Sequence, residues 1–150
     1  MRKTQKGFVL IAMSVALLLL LALVGIAFDF GRIYIARNEA QVFTDAAALA
    51  AVKKLNGTTD GVEAARRAVS DLPNRWNLGT EHFQQVRVEF SADAKEWVAD
   101  PKDPGALAYA RITAPANDVQ ILFLRAVGGP ESFTVPARSA AAANPVRLVE

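Results

Sequence analysis

From Phe8 to Phe28 the chain reads FVLIAMSVALLLLLALVGIAF, 21 residues without a charge or a proline. As an α-helix this run extends about 31 Å at 1.5 Å per residue, against roughly 30 Å of bilayer hydrocarbon. In lipid, backbone N–H and C=O groups have no water to bond and must pair within the segment, so helix is the form open to a single span. This run therefore predicts a single-pass membrane protein. It leaves room for one small domain in the rest of the 150 residues.

Arg2, Lys3 and Lys6 precede the run, and Arg32 and Arg37 follow it, offset by Asp29 and Glu39. The excess of basic residues on the first side predicts a cytoplasmic N-terminus. A cleaved signal peptide is the rival reading, since Gly25 and Ala27 have the small-residue spacing for cleavage after Ala27. Against it, the apolar stretch exceeds the roughly 7–15 residues of a signal core. The helical pattern also continues with no proline until Pro73. An uncleaved anchor is the reading these two facts favour.

The pattern beyond the anchor, DFGRIYIARNEAQVFTDAAALAAVKKL from Asp29 to Leu55, has apolar residues at Ile33, Ala36, Ala40, Phe43, Ala47 and Ala50. Alternating steps of three and four make the seam of an amphipathic helix. Arg37, Gln41 and Asp45 lie one turn apart on another face, where side chains pair. Lys53 and Lys54 suit the C-terminal end of the helix dipole, and Asn56-Gly57 supplies a stop. The spacing thus predicts one continuous helix from Gly7 to Leu55, its first half in lipid and its second half projecting. The seam packs either on the chain's own domain or on a neighbouring subunit. The segment after Asn56 needs a face to cover, which favours the first.

That segment divides the chain into a module of residues 1–55 and an α+β domain of residues 56–150. Asp60 and Glu63 form a capping-box pattern before a short helix, with Val62, Ala65, Val69 and Leu72 on one face and Pro73 ending it. Asn74 to Gly79 reads as a loop. Val86, Val88 and Phe90 alternate with charged residues as a half-buried strand, and Trp97-Val98 as a second short one. DPKDPG, Asp100 to Gly105, is a turn, and Leu107 to Thr113 a third strand. Val119 to Val127 reads as a short helix broken by Gly128-Gly129-Pro130. The chain from Phe133 through Ala137 onward reads as a last strand, at an edge or a bulge because of Pro136. The expected architecture is a three- to four-stranded sheet laid against the Asp29–Leu55 helix.

The residue inventory excludes several chemistries. With no cysteine there are no disulfides, thiolate metal sites or catalytic thiols, and His82 is the one histidine. A net charge of +2, with no dense basic patch interleaved with aromatics, gives no support to nucleic-acid binding. Asp93, Glu96, Asp100 and Asp103 lack the alternating ligand spacing and central glycine of a calcium loop. Ser70, Ser91, Ser132 and Ser139 have no nucleophile-elbow context, and no phosphate-binding glycine loop is present. Trp76 and Trp97 read as core or membrane-interface residues. Asp29 reads as a boundary residue paired in water, or as a contact for a partner's basic group. No enzyme, cofactor, metal or small-molecule substrate is expected.

One ordered set of residues carries a resemblance. Lys6-Gly7, the apolar helix, Asp29, Gly31-Arg32, Tyr34, Gln41 and Asp45-Ala46-Ala47-Ala48-Leu49-Ala50 together resemble the N-terminal module of TadG-like and TadE-like proteins of the Flp (tight-adherence, Tad) pilus assembly system. The resemblance covers about the first third of the chain. It implies a pilin-like α+β region with an alanine-rich final strand, such as Val135 to Ala143. It also implies a bacterial inner-membrane protein with a periplasmic C-terminal domain, membrane lipid around its anchor, and other pilus assembly proteins or pilins as partners.

Lys6-Gly7-Phe8 also resembles a prepilin cleavage site with Phe8 as the new first residue. The glutamate that processed pilins carry at the fifth position after the cut is replaced here by Ala12. That departure favours an anchored assembly component over a cleaved minor pseudopilin entering the filament. An unrelated membrane-anchored binding domain is the remaining alternative. The residues singled out are Gly7 and Phe8 for processing, and Asp29, Gly31, Arg32, Tyr34, Ala40, Gln41, Phe43, Asp45 and Ala47 for motif and seam.

Overall fold

The computed structural model describes residues 5–143, with side chains from Gly7. The basic residues Arg2 and Lys3, and the side chain of Lys6, lie outside the described residues. Helix α1 (Gln5–Val52) is 48 residues long, about 72 Å at the standard rise. Helix α2 (Thr59–Ser70) follows after a turn at Gly57, whose φ of +79° is the left-handed conformation that glycine adopts without penalty. Beyond α2, among the described residues, come seven strands and two 3-10 turns, at Pro104–Ala106 and Leu124–Val127; the strands are β1 (Arg75–Trp76), β2 (Glu81–His82), β3 (Arg87–Ser91), β4 (Tyr109–Ala114), β5 (Asp118–Gln120), β6 (Ser132–Thr134) and β7 (Ala137–Ala142). The fold is α+β, one long helix apolar in its first half followed by a small domain of antiparallel sheets.

The main sheet has the order β3-β4-β7, antiparallel throughout, with Phe90 opposite Ala110 and Ile112 opposite Ser139. Along β4 burial alternates, so Ala110, Ile112 and Ala114 are interior and Tyr109, Arg111 and Thr113 are half-buried. This is the two-residue period of a strand with one covered face. The cover is the second half of α1, which packs chiefly on β7 and also on β4 and α2. Two apolar clusters result. Ala47, Ala48, Ala51 and Val52 meet Val62, Ala65, Phe90 and Ile112 in one. Ala36, Ala40 and Phe43 meet Trp76, Phe83, Val119 and Val135 in the other. Phe43 stacks on Phe83 with ring centroids 4.4 Å apart, and Phe83 on Trp76 at 5.8 Å.

Of the predicted seam, Ala36, Ala40, Phe43 and Ala47 are buried, whereas Ile33 and Ala50 are only half-buried. Burial shifts to Thr44, Ala48, Ala51 and Val52 along the helix. The three-four spacing repeats every 3.5 residues and a straight helix every 3.6, so the covered stripe drifts about 20° per heptad.

Several local expectations are corrected. Val119–Val127 is not a helix: it is strand β5 and its continuation, then a 3-10 turn at Leu124–Val127 ended by Gly128 at φ +90°. A short apolar run is ambiguous between the two periods, and here β5 pairs with β6 and decides it. The single last strand is two, split at Pro136, with β6 and β7 in different sheets. Proline has no N–H to give a ladder. Asn74–Gly79 includes β1, which pairs with β2 across left-handed Asn77, Leu78 and Gly79. Trp97-Val98 is no strand but a bridge, Val98 exchanging backbone hydrogen bonds with Phe90. The cap of α2 is Thr58, whose hydroxyl accepts from the Gly61 N–H, rather than an Asp60–Glu63 box.

Candidate functional site

Asp29 follows the apolar run on α1, yet it is only 2% exposed. Its Oδ1 accepts from the backbone N–H of Leu122 at 3.1 Å. Its Oδ2 accepts from the N–H groups of Phe123 at 2.8 Å and Leu124 at 2.7 Å. The 3-10 turn at Leu124 begins at Phe123, which supplies no side-chain cap of its own. Asp29 takes that role from a different element, 93 to 95 residues away in sequence. Anionic acceptors make the stronger class of such bonds. The expectation of a boundary residue paired in water is therefore replaced: Asp29 is an internal fastening.

Arg32 lies one turn further along the same face and donates from Nη1 to the carbonyl of Gln120 at 2.9 Å. The pair thus grips the segment 120–124 by its carbonyl at one end and its N–H groups at the other. Below the grip, Phe123 lies on α1 at Gly25 and edge-on to Phe28, with centroids 5.7 Å apart. A Cβ at residue 25 would come within 2.7 Å of Phe123 side-chain atoms, so the contact requires glycine there.

A second fastening lies on the projecting half of α1. Gln41 donates from Nε2 to Asp45 Oδ1 at 3.0 Å and to Ser139 Oγ at 2.9 Å. The Ser139 hydroxyl donates to Asp45 Oδ1 and lies 2.9 Å from Thr44 Oγ1. Strand β7 is thereby held to α1 at its middle by polar contacts. A third contact was not legible in the sequence: both carboxylate oxygens of Glu39 accept from the Leu78 N–H, at 3.2 and 3.3 Å. Leu78 sits in the left-handed region at φ +60°.

The remaining motif residues stand apart. Gly31 and Tyr34 are exposed, and a Cβ at Gly31 would meet nothing within 4 Å. Ala40, Phe43 and Ala47 belong to the packed clusters. Gly7 and Phe8 are exposed near the start of α1.

The acidic residues of the 93–103 loop do not converge. Asp93 accepts from the backbone N–H groups of Lys95 and Glu96, which hold its carboxyl below the ordinary carboxylate range. Asp100 pairs with Arg66 at 2.6 Å, and Asp103 accepts from the Gly105 N–H. His82 shares a hydrogen bond with Asn74. Trp97 carries the Arg111 guanidinium 4.3 Å above its ring. Among the described residues no three His, Cys, Asp or Glu side chains are grouped to hold a metal ion.

The arrangement defines a class: a long helix, apolar enough over its first half to cross a membrane, whose second half is the platform of a small α+β domain. Within that class, residues 7–69 match the family model described as putative Flp pilus-assembly TadE/G-like. The match spans α1 from Gly7 and nearly all of α2, and it supports a role in pilus assembly. No curated protein and no solved structure matches the chain. Asp29, Arg32, Gln41 and Asp45 lie inside the matched region, and their contacts at Gln120, Leu122–Leu124 and Ser139 lie outside it.

Proposed function

We propose that this chain is a non-enzymatic, single-pass membrane component of a Tad-type (Flp) pilus assembly machine. The observation that carries the reading is the family match over residues 7–69. In this reading α1 anchors the chain in the bacterial inner membrane through Phe8–Phe28. Residues 1–55 form the anchor module and residues 56–150 a domain in the periplasm. Its partners are other assembly proteins or pilins. The outward stripe of Ile35, Val42 and Leu49, spaced seven residues apart along α1, is apolar and left uncovered by the chain's own domain. Deleting the gene in its native host should abolish Flp-type pili counted by electron microscopy, and the full chain in trans should restore them. Normal piliation in the deletion strain would sink the proposal.

The orientation rests on Arg2, Lys3 and Lys6 ahead of the span. Alkaline phosphatase fused after Glu150 should be active, and a fluorescent protein that matures only in the cytoplasm should be dark at the same site. The reverse pair of results would invert the topology.

The anchored reading also requires that Gly7 and Phe8 stay joined. Ala12 stands where a processed pilin carries a glutamate, a carboxylate costly in lipid unless a partner meets it. Co-expression with a prepilin peptidase should leave the intact mass unchanged. Loss of everything before Phe8 would move the chain to the cleaved pseudopilins.

A further inference from the structure

We infer that the turn Leu122–Val127 is a second membrane contact, placing Leu122, Phe123 and Val127 in the outer leaflet of a phospholipid bilayer beside α1. The inference rests on the reading of Phe8–Phe28 as a membrane span. The turn leaves the small domain at Ile121 and runs back along α1 toward the apolar half. There Phe123, Ala126 and Val127 line a recess together with Leu21, Val24 and Gly25. Gly25 lies about 6 Å and Leu21 about 12 Å before Asp29 along the helix axis.

The span length decides between water and lipid at this level. If the turn were in water, Leu21 beside it would be too, and the anchor would shrink to Phe8–Leu20, 13 residues, or about 20 Å against roughly 30 Å of hydrocarbon. If the span runs to Phe28, the turn is immersed with it.

Surface and backbone agree with immersion. Leu122, Phe123 and Val127 are 55%, 49% and 61% exposed, and they adjoin the exposed Leu21, Val24 and Phe28 of α1. A contiguous apolar patch of this kind marks a contact surface. Irregular backbone enters lipid only where its polar groups are met. Here Asp29 accepts the N–H groups of Leu122, Phe123 and Leu124. Those of Ala126, Gly128 and Gly129 go to carbonyls within the turn. Arg125, the one charge in the turn, reaches back to Glu131 at 2.8 Å. A long basic side chain of this kind extends to headgroup level while its stem stays apolar.

The chain has no cysteine, so single cysteines report cleanly. The full chain is reconstituted in phosphatidylethanolamine–phosphatidylglycerol vesicles with an environment-sensitive fluorophore on Val127→Cys, Leu122→Cys, Leu18→Cys or Lys102→Cys. Lipids carrying a nitroxide near the headgroup should quench the two turn positions at least about twofold more than Lys102, as for residues at the headgroup–acyl boundary. A nitroxide deep in the acyl chain should quench Leu18. If Leu18 is quenched and both turn positions behave like Lys102, the anchor stands and the inference fails. If Leu18 is not quenched, the anchor reading itself fails. If the turn positions are shielded from both lipid nitroxides and aqueous iodide, protein rather than lipid covers the turn and the inference is overturned.

Discussion

Replacing Asp29 with alanine is expected to release the segment 120–127 from α1 and to expose it to protease. Three backbone N–H groups lose their acceptor at once, in a place where Asp29 itself is shut off from water. Hydrogen bonds to a charged group contribute about 1.5–3 kcal/mol each and do not add fully. The combined loss is therefore about 3–5 kcal/mol, a large share of what holds a domain this small. Asp29→Asn keeps one carbonyl acceptor and should fall between the wild type and alanine. Arg32→Ala removes one bond to the Gln120 carbonyl, but that bond is exposed and screened by water, so the cost should be only about 1 kcal/mol. The readouts are limited proteolysis mapped by mass spectrometry and thermal melting in detergent. New cleavage between Gln120 and Phe133 in Asp29→Ala is the expected result. An unchanged digest and melting temperature would show that the carboxylate holds nothing.

The second large effect is expected from Ala47→Glu. Ala47 is fully buried, in one cluster with Phe90, Ala110 and Ile112. Glutamate there adds volume to a contact built from small residues and carries an unpaired charge into it, at a cost of about 3–5 kcal/mol. The domain should lose its protease resistance, and the native host should lose its pili. Lys53→Glu, at an exposed position near the end of the same helix, should leave both unchanged. If Ala47→Glu keeps the domain resistant, the seam is not packed as described. If resistance survives while pili are lost, the seam faces a partner rather than the chain's own sheet.

The helix and most of its seam, Ala36, Ala40, Phe43 and Ala47, are legible in the sequence because both are local. An apolar run of membrane length and a three-four spacing are written within a few turns of chain. Gln41 and Asp45 could be paired from their four-residue spacing, and they do hydrogen-bond. Their joint partner Ser139 could not be found that way, because it lies 94 residues or more from either. The same distance hid the role of Asp29. An acid at the end of an apolar run looks like a boundary marker until the 122–124 backbone is brought to it. Val119–Val127 reads as helix in isolation for a related reason: the strand character of its first residues comes from pairing with β6, not from their own period. Pro136 signalled a disturbance in the last strand, but whether as a bulge or as a change of sheet was decided by β4 and β5, which bind its two halves separately.

The projecting half of α1 is the platform of the chain's own domain, and β7 is fastened to it at Thr44, Gln41 and Asp45. Thr44 Oγ1 and Ser139 Oγ lie 2.9 Å apart, so cysteines at these two positions are placed to meet. With no other cysteine in the chain, the double variant Thr44→Cys/Ser139→Cys can be oxidised mildly in native membranes and then treated with a thiol-reactive polymer. The expected product is a monomer with both thiols consumed in an internal disulfide, which takes up two polymer chains only after reduction. A covalent dimer, or a monomer with both thiols free, would contradict it.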